Sequence, residues 1–252
     1  MREIAYAKLN LALHVRAREA DGYHRIETLF AFCEDGDVVT AEPADELSLT
    51  VIGQFAGALA GEGDNLVLRA ARAAGAAAAI TLDKRLPVAA GLGGGSADAA
   101  AVLRMFGGSV AMAAALGADV PACLLSRTAR GEGRGDRIEA VEMPGLTGTP
   151  VLLVNPNIPL PTGPVFKGWD GVDRGPLGDW EAGRNDLEPP ARALVPEIGA
   201  VLGELSGARV ARMSGSGATC FGLYDTEAAR NADAARIAAL RPGWWLSQTR
   251  LR

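Results

Sequence analysis

Histidine and cysteine are both scarce. The chain of 252 residues holds two histidines, His14 and His24, and three cysteines, Cys33, Cys123 and Cys220, with no CxxC pair. A structural zinc site asks for four such ligands at close spacing, which this set does not provide. Three widely separated thiols predict reduced, buried cysteines and a cytoplasmic setting. Long apolar runs are missing as well: the longest weakly polar stretch, residues 70–80, contains Arg72 and is too short for a bilayer. The opening "MREIAYAKLN" is charged at once and lacks the apolar segment of a signal peptide. An excess of basic charge is also absent. The formal net charge of −5 argues against a partner held by neutralising nucleic-acid phosphates. No membrane and no nucleic acid are expected as partners.

What is present is an interleaving of strand and helix patterns. Leu9, Leu11, Leu13 and Val15 alternate with Asn10, Ala12 and His14, which predicts a strand with one leucine face and leaves His14 a structural role. "READGYH" is a turn and "IETLFAF" a second strand. "GDVVTAEPADELSLTVIG" predicts two further short strands separated at Pro43. "DNLVLRAARAAGAAAA" predicts a helix capped by Asp64 or Asn65. "AITLDKRLPVAAG" then reads as a strand entering a glycine loop, and "SADAAAVLRMF" as the helix after it. A short helix ending at Gly117, a buried segment, and a turn plus strand in "RTARGEGRGDRIEAV" follow. The Pro- and Gly-rich "VEMPGLTGTP" divides the chain into domains 1–148 and 149–252. Residues 157–186 predict a long loop, and the remainder reads helix, hairpin, helix, strand. The class is α+β.

The stretch "PVAAGLGGGSADAA", residues 87–100, is the strongest chemical signal. Free N–H groups and the dipole at a helix start make an anion site without any charged side chain. Gly93, Gly94 and Gly95 allow phosphate oxygens close to the backbone, and Ser96 offers a hydroxyl for capping, phosphate or metal. A tight loop with Ser96 as a plain N-cap is the bland alternative. No lysine follows the glycines, so this is not a Walker A loop. The dinucleotide fingerprint fails at its third position, where Ser96 stands.

"LPVAAGLGGGSADAA" resembles the phosphate motif of the GHMP kinases, which phosphorylate small alcohols with ATP. "AKLNLALHV", "DGYHRIETLF", "GADVP", "PTGPVFK", "NDLEP" and "MSGSGATCFGLY" sharpen the resemblance. They point to the branch whose acceptor is cytidine diphosphate-linked methylerythritol, on the non-mevalonate route to isoprenoid precursors. The resemblance covers essentially the entire chain. It implies a two-domain fold, an N-terminal ribosomal-protein-S5-domain-2-like unit and a C-terminal ferredoxin-like unit, with the active site in the cleft between them. It further implies Asp119 as catalytic base beside Lys8, and an acceptor site of Asn10, Tyr23, His24, Thr162 and Phe166. In that site Tyr23 and Phe166 would sandwich the cytosine and His24 would bond its edge. Asn65, Lys84, Pro87 and the loop Gly91, Leu92, Gly93, Gly94, Gly95 and Ser96 would hold ATP. Mg²⁺ is implied with the nucleotide, with Ser96 and Asp119 its suspected ligands. "SGSGATCFG", with Ser214 to Gly217, is either a plain hairpin or a second glycine loop near substrate.

Phosphoryl transfer requires alignment, charge stabilisation and a proton acceptor, and these residue types supply all three. Two alternatives stand beside this reading: a GHMP kinase for another small alcohol, and a nucleotide-binding module without catalysis. The first leaves the aromatic pair Tyr23 and Phe166 without use. The second leaves Asp119 and Lys8 without use. The chain departs from the family in two places: the segment between the glycine-loop helix and "GADVP" is short, and Ala97 stands where a second serine is usual.

Overall fold

The computed structural model describes residues 1–61 and 65–252; the possible cap Asp64 lies outside the described residues. Two long strands organise the first half. β1 (Arg2–Arg18) and β2 (His24–Pro43) form an antiparallel hairpin across the "READGYH" turn. β1 runs along one edge of β2. The other edge is shared: β4 (Ala78–Asp83) takes residues 38–43, and β5 (Ala129–Gly133) takes residues 26–30. β3 (Ser48–Ile52) lies parallel to β4, and β6 (Arg137–Ala140) closes the sheet beside β5.

"GDVV" is therefore not a separate strand, as its sequence suggests, but the second half of β2. Tyr6 pairs with Gly36 and Lys8 with Phe32, so residues 33–35 bulge out opposite Ala7. A Cβ at position 36 would stand 2.0 Å from the Ala5 carbonyl oxygen, so only glycine lets pairing resume after the bulge. A second irregularity between Asn10 and Ala12 splits the expected leucine face. Leu9 and Leu11 join one core cluster, whereas Leu13 and Val15 turn toward another.

Four helices cover this sheet: α1 (Leu66–Ala73), α2 (Gly94–Met105), α3 (Val110–Leu116) and α4 (Val120–Leu125). Asn65 caps α1 through Oδ1, which accepts the Val67 N–H at 2.8 Å. α1 is shorter than its alanine run predicts, because Gly75 at φ +66° turns the chain out and Ala78 and Ala79 enter β4. α2 begins two residues earlier than its alanines suggest, with Gly94 and Gly95 in its first turn. Ala97, Ala99, Ala100 and Ala101 are all buried, so α2 lies close against β1 and α1. "RTARGEGRGDRIEAV" supplies two strands, β5 and β6, and not one.

The second half is a four-stranded antiparallel sheet in the order β10 (Trp245–Arg250), β7 (Pro150–Asn155), β9 (Cys220–Leu223), β8 (Val210–Met213). The predicted long loop contains α5 (Thr162–Lys167), and the helix expected after it is two, α6 (Glu188–Leu194) and α7 (Glu197–Glu204). Pro196 lacks the N–H that would have carried the helix through. α8 (Glu227–Leu240) packs behind the sheet.

The two halves share a core. Leu9, Leu11, Ala31 and Cys33 from the hairpin pack with Leu153, Phe221, Leu223 and Trp245 from the second sheet. Removing a fully buried leucine costs about 2–5 kcal/mol. Leu9→Ala should therefore lower the stability of both halves together, seen as one cooperative transition by near-UV and far-UV circular dichroism. Two separated transitions would show that the halves unfold independently.

Candidate functional site

The sheet, the α2 N-terminus and α5 enclose a cleft of about 1010 Å³. Lys8, Asn10, Tyr23, His24, Asn65, Lys84, Pro87, Gly91, Gly93, Gly94, Gly95, Ser96, Asp119, Thr162 and Phe166 all line it. Leu92 does not. Its side chain is buried, and its carbonyl instead accepts the Lys8 N–H at 2.9 Å.

Lys8 reaches the cleft from the middle of β1. Its ammonium lies 3.1 Å from Asp119 Oδ2 and donates to Asn10 Oδ1 at 2.8 Å. The lysine is buried while the Asp119 side chain is 38% exposed, so the carboxylate can meet a ligand without losing its partner. Asp119 stands immediately before α4, whose Pro121 at the helix start needs no N–H acceptor. Asn10 is tied on three sides: Nδ2 donates to Thr28 Oγ1 at 2.8 Å, and its N–H donates to Ser214 Oγ at 3.2 Å. Ser214 in turn donates to the Gly91 carbonyl at 2.9 Å, which stitches the two glycine loops together. "SGSGATCFG" is thus both the β8–β9 hairpin turn and a second loop at the cleft, where Gly215 and Ser216 line the wall.

The first glycine loop lies directly on lysine side chains. Gly93, at φ +63°, passes so close to Lys8 that a Cβ would be 2.9 Å from its Cε. A Cβ on Gly94 would be 3.0 Å from Lys84 Nζ. Ser96 is the third residue of α2 and not its N-cap; Gly93 holds that position. The N–H groups of Gly94, Gly95 and Ser96 have no acceptor within the helix and border the cleft. This is an anion site built from backbone.

Beneath it lies a buried ionic cluster. Lys84 Nζ contacts Asp37 Oδ2 at 2.5 Å and Asp98 Oδ2 at 2.8 Å. Asp37 Oδ1 also accepts the N–H groups of Arg85 and Leu86, at 2.6 and 2.8 Å, which fixes the entry to the loop. Burial alone would lower the Lys84 pKa, but Asp98 and Asp37 outweigh it and hold the ammonium above its ordinary range. Burial pushes the Asp98 carboxyl up to about 7 against the pull of Lys84. Among the described residues Asp98 Oδ1 has no hydrogen-bond partner.

At the other end, His24 packs on Phe166 with ring centroids 5.1 Å apart, so Phe166 already carries an aromatic neighbour on the cleft side of α5. Thr162 Oγ1 is 3.0 Å from Ser216 Oγ. Tyr23 is 55% exposed, and the Arg134 guanidinium lies 3.9 Å above its ring while pairing with Asp21. Arg18, Asp98, Arg134 and Lys167 line the cleft without having been singled out by the sequence. One signal could have found Lys167: the chain has only three lysines among 25 Lys and Arg, and all three line this cleft. Asn185, in "NDLEP", acts behind the wall, donating to the Met213 and Gly215 carbonyls at 2.8 Å.

Among the described residues no helix is long and apolar enough to cross a membrane, and the three cysteines are free and buried. The shortened segment forms the seven-residue α3, and Ala97 is buried on the core side of α2, where a serine hydroxyl would need its own partner.

Two family profiles match the chain, "GHMP kinases N terminal domain" over residues 65–127 and "GHMP kinases C terminal" over residues 173–241. A 4-diphosphocytidyl-2-C-methyl-D-erythritol kinase from Rhizorhabdus wittichii is 58% identical over 277 residues, covering 99% of this chain and 94% of that protein. One of the same name from Paracoccus denitrificans is 51% identical over 266 residues, covering 99% and 96%. A crystal structure of 4-(cytidine 5'-diphospho)-2C-methyl-D-erythritol kinase superposes with a TM-score of 0.80 at 34% identity over 99% of both chains. A mevalonate kinase from Methanococcus jannaschii reaches a TM-score of 0.67 at 10% identity over 100% of this chain and 98% of its own, a likeness of fold alone.

The Asp98 cluster predicts a pH signature. A carboxyl raised to about 7 in the fold and near 3.9 when unfolded binds its proton more tightly in the native state. Its contribution to stability is full below the unfolded value and is lost as pH rises toward 7. Asp98→Asn should remove that slope: the stability gap between wild type and variant, measured by urea unfolding, should differ between pH 5 and pH 8. A gap independent of pH would mean Asp98 is ionised throughout.

Proposed function

The chain belongs to the 4-diphosphocytidyl-2-C-methyl-D-erythritol kinases, a branch of the GHMP kinases, and from that membership we propose how its cleft transfers the phosphoryl group. The protein is an ATP-dependent small-molecule kinase. Its reaction is phosphorylation of the 2-hydroxyl of 4-diphosphocytidyl-2-C-methyl-D-erythritol, a step toward isoprenoid precursors. The observation that carries the mechanism is the Lys8–Asp119 pair, 3.1 Å apart, facing the open N-terminus of α2.

In this reading Asp119 takes the proton of the acceptor 2-hydroxyl as its oxygen bonds to the γ-phosphorus of ATP, and ADP leaves with the bridging oxygen. Lys8 orients Asp119 and places positive charge where the transferring group gathers negative charge. Asn10, fixed by Thr28 and Ser214, holds the Lys8 ammonium in line. The N–H groups of Gly94, Gly95 and Ser96 receive phosphate oxygens. Asn65, Lys84 and Pro87 form the nucleotide side, and Lys84 acts through the cluster that shapes the loop. Tyr23, His24, Thr162 and Phe166 form the acceptor side. Residues 1–148 and 149–252 are the two units that meet here, in a cytoplasmic enzyme with no nucleic-acid or membrane partner.

The residues present fit Mg²⁺ delivered with ATP. Among the described residues no three acidic, histidine or cysteine side chains gather into a metal cage. Asp98 Oδ1 has no hydrogen-bond partner among the described residues, and Ser96 and Asp119 line the same wall. Magnesium characteristically takes one or two protein oxygens and fills its sphere with phosphate and water. Bound there, it would screen the charge of the phosphate chain.

ADP release should occur with Mg-ATP and the cytidylated acceptor and fail with the same alcohol lacking its cytidine. Turnover of both would reassign the chain to a broader alcohol kinase. Asp119→Asn should reduce kcat by about 10²–10⁴-fold while leaving ATP binding intact by calorimetry. Turnover within a few-fold of wild type would remove Asp119 from the proton transfer.

A further inference from the structure

The acceptor end of the cleft holds a pair that the transfer chemistry does not use. Arg18 is the last residue of β1 and His24 the first of β2, directly opposite one another in the hairpin register. Arg18 Nε donates to His24 Nε2 at 3.2 Å. The guanidinium is held from its other side, where Nη2 donates to the carbonyls of Lys167 and Trp169 at 3.2 and 3.4 Å. The imidazole is equally constrained, packed 5.1 Å from the Phe166 ring and 5.7 Å from Trp169 in an edge-on contact at 83°. His24 is buried, and both residues line the cleft.

A guanidinium has donors and no acceptor. The imidazole nitrogen facing it must therefore present a lone pair, which leaves the ring neutral with its proton on Nδ1. The environment agrees: burial, and then the Arg18 charge, hold the His24 pKa below its ordinary value. Among the described residues no hydrogen bond engages Nδ1. His24 therefore offers the acceptor site a single fixed N–H donor.

We propose that Arg18 is a positioning residue that locks His24 as a neutral Nδ1–H donor, and that this lock makes the acceptor site choose cytosine over uracil. The inference rests on the reading that the acceptor's base sits between Tyr23 and Phe166. Cytosine presents a lone pair at N3, which accepts the Nδ1–H. Uracil presents N3–H, which sets donor against donor and leaves the buried imidazole N–H unpaired. Sites built around one such hydrogen bond reject the mismatched edge strongly, because the buried group loses its partner. The selectivity expected from one buried mismatched donor is about 10-fold to 100-fold in kcat/KM.

The test uses the full-length protein as wild type, Arg18→Met and Arg18→Lys. Two-bond ¹⁵N–¹H correlation spectra read histidine tautomers directly, and the signals lost in His24→Asn assign the ring against His14. Wild type should show the Nδ1–H form of His24. Arg18→Met should shift it toward Nε2–H, and Arg18→Lys, whose ammonium is also a pure donor, should retain Nδ1–H. In parallel, the ratio of kcat/KM for the cytidine acceptor to that for its uridine counterpart should fall at least 10-fold in Arg18→Met. That ratio should recover in Arg18→Lys, with the KM for ATP unchanged throughout. An Nε2–H or doubly protonated His24 in wild type at pH 7.5 overturns the lock. An unchanged ratio in Arg18→Met overturns the selectivity, including the case where both acceptors weaken equally because α5 has loosened. If wild type turns over neither nucleoside acceptor, the cytosine reading itself fails and the selectivity falls with it, while the tautomer signal still decides the lock.

Discussion

The position of the Lys8 ammonium is the constraint on which the cleft depends. One residue of β1 ties together its neighbour Asn10, the glycine loop and Asp119. Its backbone N–H holds the Leu92 carbonyl, its stem runs under Gly93, and its ammonium meets Asn10 and Asp119. An ammonium this deeply buried is tolerable only when paired and hydrogen-bonded, so each of those contacts is also a condition for folding. The requirement that stabilises Lys8 thereby brings the α2 N-terminus and Asp119 to one point. A bulge lies on each side of Lys8 and Asn10 in β1, and these breaks in register aim the pair at the cleft while Leu9 stays in the core.

Glycine is required in the loop for a tertiary reason as much as a conformational one. At Gly93 and Gly94 the backbone must pass within contact of two lysine side chains. At Gly91, with φ +75°, a Cβ would sit 2.2 Å from the Ser214 carbonyl oxygen of the second loop. The two loops are therefore packed backbone against backbone, and Ser214 bonds across the seam. Such packing leaves no room for side chains but keeps N–H groups exposed, which is the property an anion site needs.

Much of this was legible along the chain, and what was not has a common cause. Period-two alternation gave away β1, and the glycines with the following alanines gave away α2, because both are local signals. The bulges were invisible, since they arise from pairing between strands. So "GDVV" looked like a new strand, and Leu13 looked like a neighbour of Leu9. Lys8 and Asp119 come together only through tertiary packing, and no spacing rule links them; the resemblance to a kinase family did. Leu92 was drawn into the site by its neighbours in the motif, although its apolar side chain belongs in the core. Arg18 escaped notice because an arginine at a strand end ordinarily reads as solvated, and its role depends on which imidazole nitrogen it faces.

The two ends of the cleft place different cations in different chemistry. Lys8 and Lys84 stand under the glycine loop, where a compact ammonium can be enclosed by carboxylates and approached closely by backbone. Arginines stand at the aromatic end, Arg134 over the Tyr23 ring and Arg18 against His24, where a planar fork can stack and bond at once. All three lysines among the 25 basic residues line this one cleft. Exchanging Lys8 for arginine would keep the charge but put a wider group beneath Gly93, where the existing stem already leaves no space for a methyl group. The geometry of the glycine loop, and not charge alone, is what demands lysine there.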